Sequence, residues 1–431
     1  MITTVRRRIP GIVTALLLGA TATAAARAQD WPQWRGPARD GRLSGPAAAA
    51  PERWLAKPAR AWKVPVGVGH SSPLIVGDAV YVFAREGDSE VTRRLDLTTG
   101  KEQWQDRYAA PYEMNPAARG HGKGPKSTPL YADGRLYTFG IGGTLSCLDA
   151  RTGKVVWRHD FAKEHKETSP AFGTAMSPVI EKGLVIAHVG GNGDGALTAF
   201  DAKTGAARWR WTGDGPAYAS PLVLTLGGVR QVVTQTQKRC VGIDAATGKL
   251  LWEVPFTTAF DQNSVTPVAA GDLIVFGGMR QPTFAVRARK AGADWTAEKV
   301  WQTPEATFYM STPVLSDGKL FGMSERRGGQ MFCLDAATGK VLWSGEGRLG
   351  DNASVWDVGG YLLTLTTGAD LIVYKKGADG ALTEAARHTV AESPVWASPA
   401  VAPGGRLLVK DLDSLALWTL PPSPGVKAAS R

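Results

Sequence analysis

Five segments of the chain keep one register: an Asp, three residues, a Gly, three residues and a Trp. They are Asp96, Gly100 and Trp104; Asp149, Gly153 and Trp157; Asp201, Gly205 and Trp209; Asp244, Gly248 and Trp252; and Asp335, Gly339 and Trp343. Each feature has a physical cause. The short polar stretch is a hairpin turn whose Gly takes positive φ without a Cβ clash. The Asp carboxylate accepts hydrogen bonds from the turn's own N–H groups. The Trp lies on the following strand, where its broad face can pack against a neighbouring sheet. The residues before the Asp are apolar or alternate, as in 143–148, and read as a strand.

A second marker alternates with the first: one or two small polar residues, a Pro and then apolar residues. It recurs at Pro73, Pro129, Pro178, Pro221, Pro267, Pro313 and Pro399, at intervals of 56, 49, 43, 46, 46 and 86 residues. The last interval is twice 43, and aligning Gly360 with Gly318 puts Val355 in the vacant slot. A turn and a second strand follow each marker. The chain therefore reads as eight units of four strands, which is the blade of a propeller. The last unit supplies three strands, and an orphan strand around Trp62 precedes the first unit. The expected fold is all-β: an eight-bladed β-propeller of four-stranded antiparallel blades, closed by the N-terminal strand in the last blade. Closure removes an exposed sheet edge.

Residues 59–421 are assigned to the propeller, 29–58 to an N-terminal strap and 422–431 to a disordered tail. Residues 1–28 read as a signal peptide. Arg6, Arg7 and Arg8 precede an apolar run centred on Leu16 to Leu18, and Ala26-Arg27-Ala28 is a cleavage site. The expected location is periplasmic or secreted. Removing that segment's four Arg lowers the formal charge from +11 to +7, and the remaining cations are scattered. That pattern argues against nucleic-acid binding. No later run is long and apolar enough to span a membrane. Cys147, Cys240 and Cys333 lie 93 residues apart, and Cys147 and Cys333 occupy the same position in two blades. They read as small buried hydrophobes rather than a disulfide.

The turn in its form Leu148-Asp149-Ala150-Arg151-Thr152-Gly153-Lys154, ending at Trp157, resembles the repeat of the pyrroloquinoline-quinone (PQQ) type propellers. That superfamily includes quinoprotein alcohol dehydrogenases and the propeller lipoprotein of the outer-membrane β-barrel assembly machinery. The opening Asp30-Trp31-Pro32-Gln33-Trp34-Arg35-Gly36-Pro37 is similar to the N-terminal segment of PQQ-binding-like repeat proteins. The resemblance covers residues 30–420 and implies the fold more strongly than an activity. The dehydrogenases would bring a vicinal Cys pair, often a haem-binding C-x-x-C-H and a roof of insertions. The lipoprotein would bring a lipid-bearing Cys. This chain has none of these. The resemblance supplies PQQ with Ca²⁺ as an alternative cofactor reading, and no cofactor is assigned from the residues.

No metal-ligand spacing, G-x-S-x-G elbow or phosphate loop is present. The Gly-rich stretch 190–195 reads as a hairpin loop of blade 3 rather than a Ca²⁺ loop. Strand order puts the tight Asp–Gly turns on one face and the longer irregular loops on the other, where binding usually resides. The residue three before each marker Pro should face the axis on the loop side. These are His70, Lys126, Ala175, Tyr218, Ser264, Met310, Asn352 and Trp396, with Asp261, Asn263 and Asp351 close by. Amides, an aromatic, a His and a Lys around one funnel suit a planar anionic ligand. The leading reading is an exported, non-catalytic binding or scaffold propeller for a protein, glycan or small anionic ligand, monomeric and without a membrane span. The alternative is a PQQ- and Ca²⁺-dependent quinoprotein oxidoreductase acting on alcohols or sugars.

Overall fold

The computed structural model describes residues 30–43, 50–402 and 404–421. The signal-peptide and tail readings lie outside the described residues, as do 29 and 44–49 of the strap. Among the described residues the strands form eight antiparallel sheets of four strands, arranged as the spacing predicts. Blade 1 comprises Leu74–Val76, Ala79–Glu86, Ser89–Asp96 and Glu102–Ala109, from the axis outward. The innermost strands of blades 2 to 8 are Leu130–Ala132, Val179–Glu181, Leu222–Leu226, Val268–Ala270, Val314–Ser316, Ala353–Val358 and Ala400–Ala402. The second and third strands of each blade are buried between neighbouring sheets. The outermost ones alternate, as Glu102–Ala109 does, because one face meets water. Blade 7 lacks the marker Pro, and its inner strand pairs over six residues from Ala353 to Val358. With Val355 in place of Pro, no N–H is missing there.

The turns have the geometry expected of them. Asp149 accepts from the backbone N–H and hydroxyl of Thr152 at 2.8 and 2.7 Å, and its carbonyl accepts from Gly153 at 2.8 Å. The same bonds recur at Asp96, Asp201 and Asp335. Gly153 sits at φ 74°. It also faces the Trp104 ring of the preceding blade so closely that a Cβ would stand 2.6 Å from it. At four seams the indole thus rests on the turn glycine of the next blade: Trp62 on Gly100, Trp104 on Gly153, Trp157 on Gly205 and Trp209 on Gly248. Its Nε1 donates to the carbonyl just after that blade's Asp: Leu97, Ala150, Ala202 and Ala245, at 3.0 to 3.2 Å.

Three blades, 5, 7 and 8, lack the Asp–Gly turn, and the clasp adapts. Blade 5 carries a long hairpin, Gln281–Ala291 with Asp294–Thr303, in place of the Asp–Gly turn. Trp252 therefore donates inside its own blade, to Gln231 Oε1 at 2.7 Å, while its ring meets Phe276 of blade 5. Trp301, which belongs to none of the five repeated motifs, covers Gly339 and donates to the Ala336 carbonyl at 3.1 Å. In blade 7 the register position of the indole holds Ala386. The strap fills that gap with a 3-10 turn, Pro51–Leu55, that brings the fully buried Trp54 against the outer strand Leu382–Thr389. Arg53 donates to the Leu420 carbonyl at 3.1 Å, the site an indole N–H takes in other blades.

The ring closes between its ends. Strand Ala59–Pro65 pairs antiparallel with Ser414–Thr419, with Trp62 opposite Leu417. Trp62 then reaches across to blade 1 at Gly100 and Leu97. All three cysteines are buried free thiols. Trp209 is 8 % exposed, so Trp209→Ala is expected to cost about 3–5 kcal/mol in chemical denaturation. A loss below about 1 kcal/mol would mean that the indole does not hold blades 3 and 4 together.

Candidate functional site

The axis is lined by a belt of hydroxyl residues placed just before the marker Pro. Ser72, Thr128 and Ser177 each donate a backbone N–H to the side-chain oxygen of the next blade: Thr128 at 3.3 Å, Ser177 at 3.0 Å and Ser220 at 2.9 Å. Thr266 does the same to Thr312 at 3.2 Å. Small polar residues recur here because each must satisfy its neighbour at close range.

Two residues closer to the loop face, the chain is free to vary. All eight register positions, His70, Lys126, Ala175, Tyr218, Ser264, Met310, Asn352 and Trp396, line one cavity of about 260 Å³. His121, Phe172, Phe260, Gln262 and Tyr309 add to its wall. The five come from the blade-connecting loops, outside the repeat, so spacing does not mark them. His70 Nε2 lies 2.8 Å from the His121 carbonyl, and the rings of His121 and Trp396 meet edge to face at 4.6 Å. Tyr218 accepts from the Phe172 N–H at 3.2 Å, and Tyr309 donates to Gln262 Oε1 at 2.9 Å. Phe260 projects at the rim, 75 % exposed, on left-handed backbone at φ 61°.

Asp261 and Asn263 lie outside this wall. Asn263 is fully buried, and its amide donates to the carbonyls of Thr236, Gln237 and Phe256, which ties blade 4 to the following loop. In the Gly-rich hairpin, the Asp194 carboxylate is taken by the Lys166 N–H at 2.7 Å and by His165 Nδ1 at 3.1 Å. Among the described residues no cluster of His, Cys, Asp and Glu is arranged to hold a metal ion.

Cations dominate the cavity wall, with Asp40 acting on Arg35 and Asp351 on His121 from outside it. Lys126 donates to the Phe172 carbonyl at 2.7 Å, and burial pulls its pKa down to about 8. An ammonium has three N–H donors, and this one has a single hydrogen-bond partner among the described residues. Arg35 and Arg39 are 6 % and 5 % exposed. Arg35 donates to the carbonyls of Thr312 and Pro313, and Arg39 to those of Pro178 and Ser177. Burial lowers both guanidinium groups, yet both stay charged at neutral pH. Among the described residues, no Asp or Glu contributes to the cavity wall.

Comparison with known proteins places this fold. The family model described as outer membrane protein assembly factor BamB (PQQ_2) matches residues 87–345, more than half of the chain. The chain belongs to the PQQ_2 family. Among curated relatives, the dehydrogenase subunit of the quinone alcohol dehydrogenase of Komagataeibacter europaeus is 31% identical over 145 residues, 32% of this chain and 19% of that one. BamB of Xanthomonas campestris is 25% identical over 344 residues, 67% of this chain and 80% of that one. The chain thus spans about a fifth of the length of the dehydrogenase relatives it matches. Among solved structures, quinohemoprotein alcohol dehydrogenase from Comamonas testosteroni aligns with a TM-score of 0.66 at 16% identity, over 93% of this chain and 82% of that one. BamB from Moraxella catarrhalis aligns with a TM-score of 0.59 at 16% identity, over 86% of this chain and all of that one. At these identities the structures speak to the PQQ_2 fold alone. No helix among the described residues is long and apolar enough to cross a membrane.

The resemblance to quinoprotein dehydrogenases raises the question of a quinone held with calcium. Calcium takes six to eight oxygen ligands, usually with carboxylates among them. Among the described residues the cavity wall offers hydroxyls, amides and cations but no carboxylate, so these residues do not fit a calcium centre.

The histidines set a pH dependence. Burial, with Lys410, His121 and Lys126 nearby, pulls His70 down to about 3, and burial pulls His188 down to about 4. Both rings stay neutral in the fold while the unfolded chain takes up protons near pH 6.5. Their contribution is complete above that pH and is lost as pH falls towards the folded values. Stability is expected to decline by about 1.4 kcal/mol per pH unit for each ring. His70→Gln should flatten the decline between about pH 6 and 4 by one such increment, read by denaturation at several pH values. An unchanged slope would contradict the neutral, buried state of His70.

Proposed function

We propose that this chain is an exported, non-catalytic binding protein of the periplasm or the cell exterior, and that its axial funnel takes a planar anionic ligand. The observation that carries the reading is Lys126: a largely buried ammonium that has, among the described residues, one carbonyl partner and a wall of aromatic rings without a carboxylate. A buried cation with unused donors is stabilised by an anion, and charge-assisted bonds in such a site are strong. The rings of Trp396, His121, Phe172 and Tyr218 offer flat surfaces for a planar body. Export agrees with the N-terminal pattern of basic, apolar and small residues.

The relatives favour a second reading, a quinoprotein oxidoreductase using PQQ and Ca²⁺. The donor set of the wall speaks against it. Calorimetric titration of the mature protein with trimesate, a planar benzenetricarboxylate, separates the two when paired with PQQ and Ca²⁺ in a dye-linked assay of alcohol and sugar oxidation. The expected result is trimesate binding that weakens at least about tenfold in Lys126→Ala, from losing one charge-assisted contact, and no dye reduction. Dye reduction that requires Ca²⁺ would establish the oxidoreductase instead. Absence of trimesate binding would overturn the anion-binding reading.

A further inference from the structure

At its inner end the funnel is lined by the N-terminal segment together with the hydroxyl belt of the propeller. Segment 30–43 enters from the turn face, where Trp31 bridges to Ile75 and the Asp30 carboxylate accepts from the Gly77 N–H at 2.8 Å. It dips to the axis and leaves along blade 7, where the Leu43 N–H donates to the Asp357 carbonyl at 2.9 Å. At the bottom of the dip, Trp34 and Arg35 belong to the wall of the same cavity as Lys126. Arg35 also borders a second cavity of about 420 Å³ on the turn side, so the segment divides the axial channel in two.

We infer that Trp34 and Arg35 are ligand-contacting residues that set the specificity of the funnel for anions. This rests on the anion-binding reading proposed above. Three observations support it. Trp34 spends its indole N–H on Thr266 Oγ1 at 2.9 Å, which fixes the ring at the floor. Arg35 is pinned by the carbonyls of Thr312, Pro313 and Asp40, which satisfy its terminal nitrogens without neutralising its charge. Its Nε is buried and has no partner among the described residues. A guanidinium held by neutral carbonyls keeps much of its field for an incoming anion, because the Asp40 carboxylate that acts on it is not in ion-pair contact. Lys126 in the wall and Arg35 in the floor then place two cations along the axis of one pocket.

Arg39 provides the matched control. It lies in the same segment, is equally buried and also spends its donors on backbone carbonyls. It borders the turn-side cavity and is absent from the funnel wall. Arg35→Met and Arg39→Met should therefore lower the melting temperature by similar amounts. Arg35→Met alone should weaken trimesate binding, by at least about tenfold. Equal affinities in the two variants, with Lys126→Ala still defective, would overturn the floor assignment and leave the anion-binding reading intact. Absence of trimesate binding in the unaltered protein would overturn both. Hydrogen exchange on the unaltered protein keeps the test open if Arg35→Met does not fold. Trimesate should slow exchange in segment 30–43, and slowing confined to the blade loops would contradict a ligand-contacting floor.

Discussion

The indole of one blade rests on the turn glycine of the next, and this contact sets most of the molecule. It explains why the glycine must lack a Cβ twice over, once for its positive φ and once for the ring above it. It explains why the Asp is fixed, since the Asp orders the turn that presents both the glycine and the carbonyl taken by the indole N–H. Each contact joins successive blades, so every sheet is covered on both faces and the stack can end only by returning to its start. The return is made by the pairing of Ala59–Pro65 with Ser414–Thr419 and by Trp62 laid on Gly100. Where blade 7 offers Ala386 instead of an indole, the strap inserts Trp54 and Arg53. The interface demands an aromatic filler and a donor, and it accepts them from a different part of the chain.

A ring of eight leaves an axis that the repeat itself does not fill. The hydroxyl belt satisfies the innermost backbone, and just beyond it the constraint ends. The eight register positions there hold eight residues of differing size and charge around one cavity. The axial charge follows from how these cations are held. Lys126, Arg35 and Arg39 are desolvated and bound to carbonyl oxygens, which take only part of their hydrogen-bonding capacity and none of their charge. The scaffold thus tolerates a positive axis whose electrostatic cost an anion would offset.

Much of this was legible in the sequence because it repeats. The turn register gave the blade, the Pro marker gave the count, and the doubled interval pointed to Val355 and to a blade without its Pro. Trp62 was recognisable as part of a displaced fourth strand because the last unit supplies only three and an orphan strand precedes the first. Counting three residues back from each Pro also placed the axial positions. What did not repeat was not legible. Trp301 follows a long hairpin without the Asp–Gly turn, so its role depends on blade 6 rather than on its neighbours in sequence. Arg53, Trp54 and the floor residues Trp34 and Arg35 act across hundreds of residues of separation, through contacts no local pattern encodes. Asn263 sits one residue from an axial position, yet its buried amide ties the backbone of blade 4 to the next connection. Proximity in sequence put it beside the site, and its hydrogen bonds turn it away.

The ring-closing clasp is the element on which the rest depends, and native-state hydrogen exchange of Trp62→Ala tests it most directly. Removing that one indole should selectively increase exchange in Ala59–Pro65 and Ser414–Thr419, because the seam between blades 8 and 1 loses its cover. Blades 3 to 5 should keep their protection. Unchanged protection at the seam, or a loss spread evenly over all eight blades, would contradict the account of a propeller held shut by indoles seated on glycine turns.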